Sequence, residues 1–274
     1  MSHDETPKPT RITVPGIRAR KNGEKIVSVT AYDYLWAQIV DRSGVDIILI
    51  GDSAGSVMQG ESTTIPVTMD QMIYHSRCVS RAVKHALVVG DMPFLSYQVS
   101  VEQAIESAGR FLKEGGVSAV KLEGGKVFQK TVERLVSIDI PVMGHVGLTP
   151  QSFHRMGGYK IQGRENRKAI IDDAKALADA GAFSIVIEGV PDDVAQEITA
   201  SVSVPTIGIG AGLACDGQII VLQDVLGITE HPAKFVKQFA HLREDAMSAL
   251  GNFASEVKSG KFPGPEHTYG ATKK

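Results

Sequence analysis

The sequence predicts a closed (β/α)₈ TIM barrel, an α/β fold. Eight apolar runs of strand length recur along the chain, and helical patterns separate them. The runs show little alternation, as expected of parallel strands covered on both faces. Acidic residues stand where four of these runs end, far apart in the chain, which favours a barrel with one shared face over an open doubly wound sheet with one crevice. A length of 274 residues suits one such barrel.

The predicted strands are Lys25–Thr30, Asp46–Gly51, Leu87–Asp91, Ala119–Leu122, Pro141–His145, Phe183–Ile187, Thr206–Gly208 and Ile219–Val225. Between them, Thr68 and Gln71 form a capping pair ahead of Met72. Ser100 and Gln103 repeat it, and Val101, Ala104, Ile105, Ala108 and Leu112 then share one helical face. Ile170, Ala174 and Leu177 make another stripe, closed by Gly181. Pro232 is read as opening a last long helix with Phe235, Phe239, Leu242 and Ala246 on one side. Residues 11–262 are therefore expected to form one catalytic barrel, with 1–10 and 263–274 as polar, mobile tails. The long connections Ser53–Val67 and Val146–Arg164 leave the presumed active face and read as lids or binding loops.

Composition narrows the function. Lysine and arginine total 29 against 31 acidic residues, so no basic surface for nucleic acid or an anionic membrane is expected. No apolar run approaches the roughly 20 residues that span a bilayer, and the polar start is not a signal peptide. Cys78 and Cys215 form no metal spacing and no disulfide framework, which fits a cytoplasmic protein with two structural thiols.

The acids at the strand ends are Asp52, Asp91, Glu123 and Glu188. Hard cations select oxygen ligands, and magnesium takes one or two carboxylates plus waters and substrate oxygens. Asp52, Asp91 and Glu123 are the candidate metal residues; the alternative is that each caps the following helix. Lys121 lies two residues before Glu123 and points to the same side, so it meets either a substrate carboxylate or Glu123 itself. His145 ends its strand facing the acids, and both a structural and a proton-handling role stand. Glu188 is the candidate separate acid/base. Gly208-Ile209-Gly210-Ala211-Gly212 lacks the last glycine of a dinucleotide fingerprint and reads as a tight turn near a ligand.

The strings Gly51-Asp52-Ser53, Gly90-Asp91-Met92-Pro93-Phe94, Val120-Lys121-Leu122-Glu123-Gly124-Gly125, Pro141-Val142-Met143-Gly144-His145-Val146-Gly147-Leu148-Thr149-Pro150-Gln151 and Gly157-Gly158-Tyr159-Lys160 strongly resemble the 3-methyl-2-oxobutanoate (ketopantoate) hydroxymethyltransferase family. The likeness covers residues 10–262 in order. It implies a TIM barrel, Mg²⁺, and transfer of a hydroxymethyl group from 5,10-methylenetetrahydrofolate to 3-methyl-2-oxobutanoate, giving 2-dehydropantoate for pantothenate synthesis. By motif, Asp52 and Asp91 match metal ligands and Glu123 the third acid. Ser53 and Lys121 match substrate contacts, as do the two aspartates, and Glu188 matches the proton acceptor. A homo-oligomer, a decamer of two pentamers, is implied as well. Ala54 stands where the family commonly has leucine and Gly189 where cysteine is frequent, which bears on pocket shape rather than on charge.

The same acids would also serve a magnesium-dependent 2-oxo-acid lyase or mutase that uses no folate. Such enzymes often carry a reactive loop cysteine, which neither Cys78 nor Cys215 resembles. A non-catalytic binder would have no need of acids at several strand ends.

Overall fold

The computed structural model describes residues 11–270. Eight parallel strands close into a barrel in chain order. They are β1 (Ile26–Thr30), β2 (Ile47–Ile50), β3 (Leu87–Asp91), β4 (Ala119–Glu123), β5 (Val142–Gly147), β6 (Ser184–Glu188), β7 (Thr206–Ile209) and β8 (Gly217–Ile220). β8 returns to β1 with Ile26 opposite Gly217, so no strand edge is left open. After the short first helix come α2 (Tyr34–Arg42), α3 (Ala54–Gln59), α4 (Met69–Ala82), α5 (Val101–Arg110), α6 (Gln129–Ser137), α7 (Phe153–Met156), α8 (Arg167–Asp179) and α9 (Asp192–Ser201).

Local signals account for several boundaries. Thr68 and Gln71 complete a reciprocal capping box on α4. Ser100 accepts the Gln103 N–H at the start of α5. The apolar stripe expected through Leu112 stays α-helical only to Arg110, and a π turn (Phe111–Gly115) follows. Inside the barrel, Ile26, Ile47, Leu49, Leu87, Val89, Ala119, Met143, Val186, Ile207 and Ile219 form one buried apolar cluster. Ile17, from the short helix α1 (Val14–Arg18), belongs to the same cluster and is fully buried.

Two expectations are corrected. The eighth strand begins two residues before Ile219 and ends at Ile220; Leu222–Val225 is a helical turn rather than strand. Gly217 is at home there because β1 approaches so closely that a Cβ would come 2.4 Å from Ile26 O. The last helix starts at Leu242, not Pro232, and runs to Ser259. Phe235 and Phe239 precede it in irregular chain, where Phe239 N–H bonds Val225 O. The described residues from Gln223 onward form a second compact unit. Within that unit, Arg243 pairs with Glu230 at 2.8 Å and Phe253 stacks edge-on to Phe262, while the Leu242–Ser259 helix buries no residue. Of the expected tails, Pro265–His267 forms a single 3₁₀ turn, and residues 1–10 and 271–274 lie outside the described residues.

Candidate active site

Strand register assembles the centre. Asp91 lies opposite Lys121, Glu123 opposite His145, and Gly147 opposite Glu188. Inward positions alternate along each strand, so Asp91 follows Val89, Lys121 and Glu123 follow Ala119, His145 follows Met143, and Glu188 follows Val186 on the inner face. Asp52 joins them from just past β2, its N–H donating to Asp91 Oδ2 at 3.1 Å. Asp52, Asp91, Lys121, Glu123 and His145 are each only 2–3 % exposed. Glu188 is the accessible member, its side chain 19 % exposed.

None of the four acids caps a helix. The N-caps that follow them are Ser53, Ser100, Phe128 and Pro191. Lys121 Nζ sits 2.8 Å from Asp91 Oδ1 rather than pairing with Glu123. Two residues along a strand span about 6.6 Å, whereas neighbouring strands lie about 4.8 Å apart, so the cross-strand acid is nearer. Ser53 Oγ shares a hydrogen bond with Tyr32 OH at 2.8 Å. A Cβ on Gly51 would come 2.6 Å from that Oγ, so only glycine leaves the hydroxyl its place.

Burial, and then the Asp91 charge, push the Asp52 carboxyl up to about 7. Burial also lifts Glu123 well above the carboxylate range, against the pull of Lys121. Burial pulls the Lys121 ammonium down, but Asp91, Glu123 and Asp52 outweigh it and hold it above its ordinary value. His145 is lowered by burial and by the Lys121 charge, so its ring is neutral near pH 7. Lys121 Nζ lies 3.3 Å from His145 Nδ1, and an ammonium can only donate. Nδ1, also 3.6 Å from Glu123 Oε1, is the acceptor in the tautomer that suits this ammonium, which leaves the proton on Nε2, 3.3 Å from Glu188 Oε2. The three side chains form a line from the buried cation to the accessible acid.

Three buried carboxylates thus face one lysine. Asp91 Oδ1 is met by Lys121 Nζ at 2.8 Å, whereas Glu123 Oε1 lacks a hydrogen-bond donor. More carboxylates than cations, with the Glu123 oxygen unfilled, suit a divalent cation held by Asp52, Asp91 and Glu123. Among the described residues no group of three or more acid, histidine or cysteine side chains is arranged to hold an ion unaided. Waters or substrate oxygens would complete the shell, as magnesium prefers.

Gln151 and Tyr97 escape a reading of the sequence as site residues, although Gln151 ends one of the family-like strings. Gln151 Nε2 donates to Asp52 Oδ2 and to Met92 O, both at 2.9 Å, and its backbone N–H donates to Glu123 Oε2 at 3.0 Å. Tyr97 OH accepts the Glu123 N–H at 3.1 Å and donates to Gln151 Oε1 at 2.8 Å. A buried amide in a single 3₁₀ turn has no periodicity to announce it; only the assembled structure reveals its partners.

Fold and centre together define an enzyme of the (β/α)₈-barrel class, working at the C-terminal ends of its strands. The sequence profile described as "Ketopantoate hydroxymethyltransferase" matches residues 11–265. The chain is 52% identical over 262 residues to a 3-methyl-2-oxobutanoate hydroxymethyltransferase of Pelobacter propionicus, covering 94% of this chain and 97% of that protein. It is 53% identical over 264 residues to the one from Moorella thermoacetica, covering 95% and 98%. The chain belongs to the ketopantoate hydroxymethyltransferase family and is a transferase. Solved structures of like fold include a phosphoenolpyruvate phosphomutase from Streptomyces platensis subsp. rosaceus, with a TM-score of 0.61, 16% identity and coverage of 90% and 88%. A phosphonopyruvate hydrolase solved with oxalate and Mg²⁺ gives a TM-score of 0.59 at 15% identity, covering 93% and 92%.

Proposed function

We propose that this chain transfers a hydroxymethyl group from 5,10-methylenetetrahydrofolate to 3-methyl-2-oxobutanoate, making 2-dehydropantoate for pantothenate synthesis. The observation that carries the reading is the buried trio Asp52, Asp91 and Glu123 around a single lysine, in a chain of this family. Magnesium bound by that trio would polarise the 2-oxo acid and favour its enolate. Ser53 and Lys121 bind and orient the substrate carboxylate. Glu188, the accessible acid, takes the C3 proton, with His145 Nε2 3.3 Å from its Oε2. The electron pair left at C3 forms the new C–C bond to the folate one-carbon unit. The two C–N bonds that held the one-carbon unit break: one nitrogen takes the proton from Glu188, water replaces the other with its hydroxyl, and water's remaining proton goes to the departing tetrahydrofolate.

Among the described residues no helix is long and apolar enough to cross a membrane; we place the enzyme in the cytoplasm. By family resemblance its working form is a homo-oligomer, a homodecamer, with no nucleic-acid or membrane partner; sedimentation measures the subunit count. The deciding experiment is turnover of 3-methyl-2-oxobutanoate with and without Mg²⁺ and methylenetetrahydrofolate. Turnover requiring both, and lost in Glu188→Gln, is the expected result. Full turnover in Glu188→Gln removes that residue from the mechanism, and folate-independent cleavage of a 2-oxo acid would establish the lyase reading instead.

A further inference from the structure

A cavity of about 470 Å³ adjoins the acidic centre and shares Glu123 and Gln151 with it. The centre as described has the charge to hold a small 2-oxo acid and its cation, but its reaction needs a second, larger reactant close by. The cavity has the chemistry for that reactant, and its assignment rests on the function proposed above.

Its apolar walls are flat rings. Phe94, Tyr97 and Phe128 line it, and Tyr97 stands edge-on to Phe128 with centroids 5.1 Å apart. Such faces suit a planar heteroaromatic ring. Its polar lining is sparse and fixed. Asp173, on α8, accepts the Lys126 N–H through Oδ1 at 2.8 Å. Its carboxylate lies against Gly125, where any Cβ would come within 2.0 Å of Asp173 Cγ. A glycine is therefore required for the acid to occupy this wall, and Oδ2 remains to accept from a ligand. Asn166 Oδ1 accepts the Gly163 N–H at 2.8 Å, which leaves its NH₂ group as a donor. Arg155 is exposed and is the one cation among the described residues lining the cavity.

This pattern matches a folate. The amino-pyrimidine edge of a pteridine presents adjacent N–H donors that a carboxylate accepts together, beside a carbonyl that takes an amide N–H. The glutamyl tail carries carboxylates toward solvent, where a guanidinium pairs with them. We infer that this cavity seats the pteridine ring of the folate co-substrate. Asp173 reads its amino edge, the rings of Phe94 and Phe128 hold its faces, and the one-carbon unit is presented across the wall formed by Glu123 and Gln151.

The test compares wild type with Asp173→Asn and Phe128→Leu. Two quantities are measured: the dissociation constant for tetrahydrofolate by calorimetry, and exchange of the C3 proton of 3-methyl-2-oxobutanoate into D₂O with Mg²⁺ and no folate. Loss of a pairing to a charged group predicts tetrahydrofolate binding weaker by about 10- to 100-fold in Asp173→Asn, with KM for methylenetetrahydrofolate raised alike. Phe128→Leu shows a smaller loss in the same direction. Proton exchange and the KM for the 2-oxo acid stay within about twofold, since neither residue touches the acidic centre. Unaltered folate affinity in both variants, with exchange intact, overturns the assignment. If Asp173→Asn fails to fold, as lost exchange would reveal, Phe128→Leu decides by the same criterion. A wild type that turns over without folate refutes the proposed function itself, a result distinct from normal folate use by the variants.

Discussion

Two layers of the same barrel interior differ completely in chemistry, though they lie only two residues apart on each strand. On β3, Leu87 and Val89 belong to the apolar cluster and Asp91 stands above them. On β4, Ala119 belongs to it and Lys121 and Glu123 stand above; on β5 and β6, Met143 gives way to His145 and Val186 to Glu188. The lower layer needs nothing from outside, because its side chains meet only one another and exclude water. The upper layer is incomplete. Its carboxylates outnumber its cation, Glu123 Oε1 finds no donor, and burial drives Asp52 up to about 7. Buried charge of this kind opposes folding unless a ligand completes it. On the function proposed above, the lower layer carries stability and the upper one reactivity, at some cost to stability.

That contrast can be broken by substitution. Asp52→Asn keeps shape and removes charge, so turnover should fall by about 10³-fold or more while the metal-free protein melts no lower than wild type. A destabilisation comparable to that of a core deletion would show the upper layer to be structural after all. Leu87→Ala should do the reverse, costing about 2–5 kcal/mol in urea denaturation with kcat per folded molecule preserved.

Smaller effects sharpen the boundary between the layers. Gln151→Met retains volume but removes the bonds to Asp52, Met92 and Tyr97, so the Mg²⁺ dissociation constant, read by calorimetry, should rise about 10- to 100-fold without loss of fold. Finally, Asp52 titrates about 7 when folded and near 4 when unfolded, so the metal-free fold is favoured at low pH. Its melting temperature should drop by a few degrees as pH rises from about 4 to about 7, and saturating Mg²⁺ should reverse the drop at pH 7. A metal-free melting curve that is flat across that window would contradict the burial of Asp52.

Much of the fold is legible in the sequence because its cause is local. Buried parallel strands are continuous apolar runs, so seven of the eight can be read to within one or two residues of their ends. β8 is harder to place because Gly217 and Gln218 carry no strand signal; pairing with Ile26 and Val27 recruits them. Phe235 and Phe239 have helical spacing, yet the helix begins only at Leu242, so their periodicity is coincidental. Asp52, Asp91, Glu123 and Glu188 stand out because a carboxylate ending an apolar run conflicts with its surroundings.

The sequence by itself determined the barrel, the acids at its mouth and the family, since hydrophobic period and residue order are properties of the chain. Only the tertiary structure decided the pairing of Lys121 with Asp91, the His145 tautomer that faces Glu188, and the bridging by Gln151 and Tyr97. Those depend on strand register and loop closure, which bring together groups that no spacing along the chain relates.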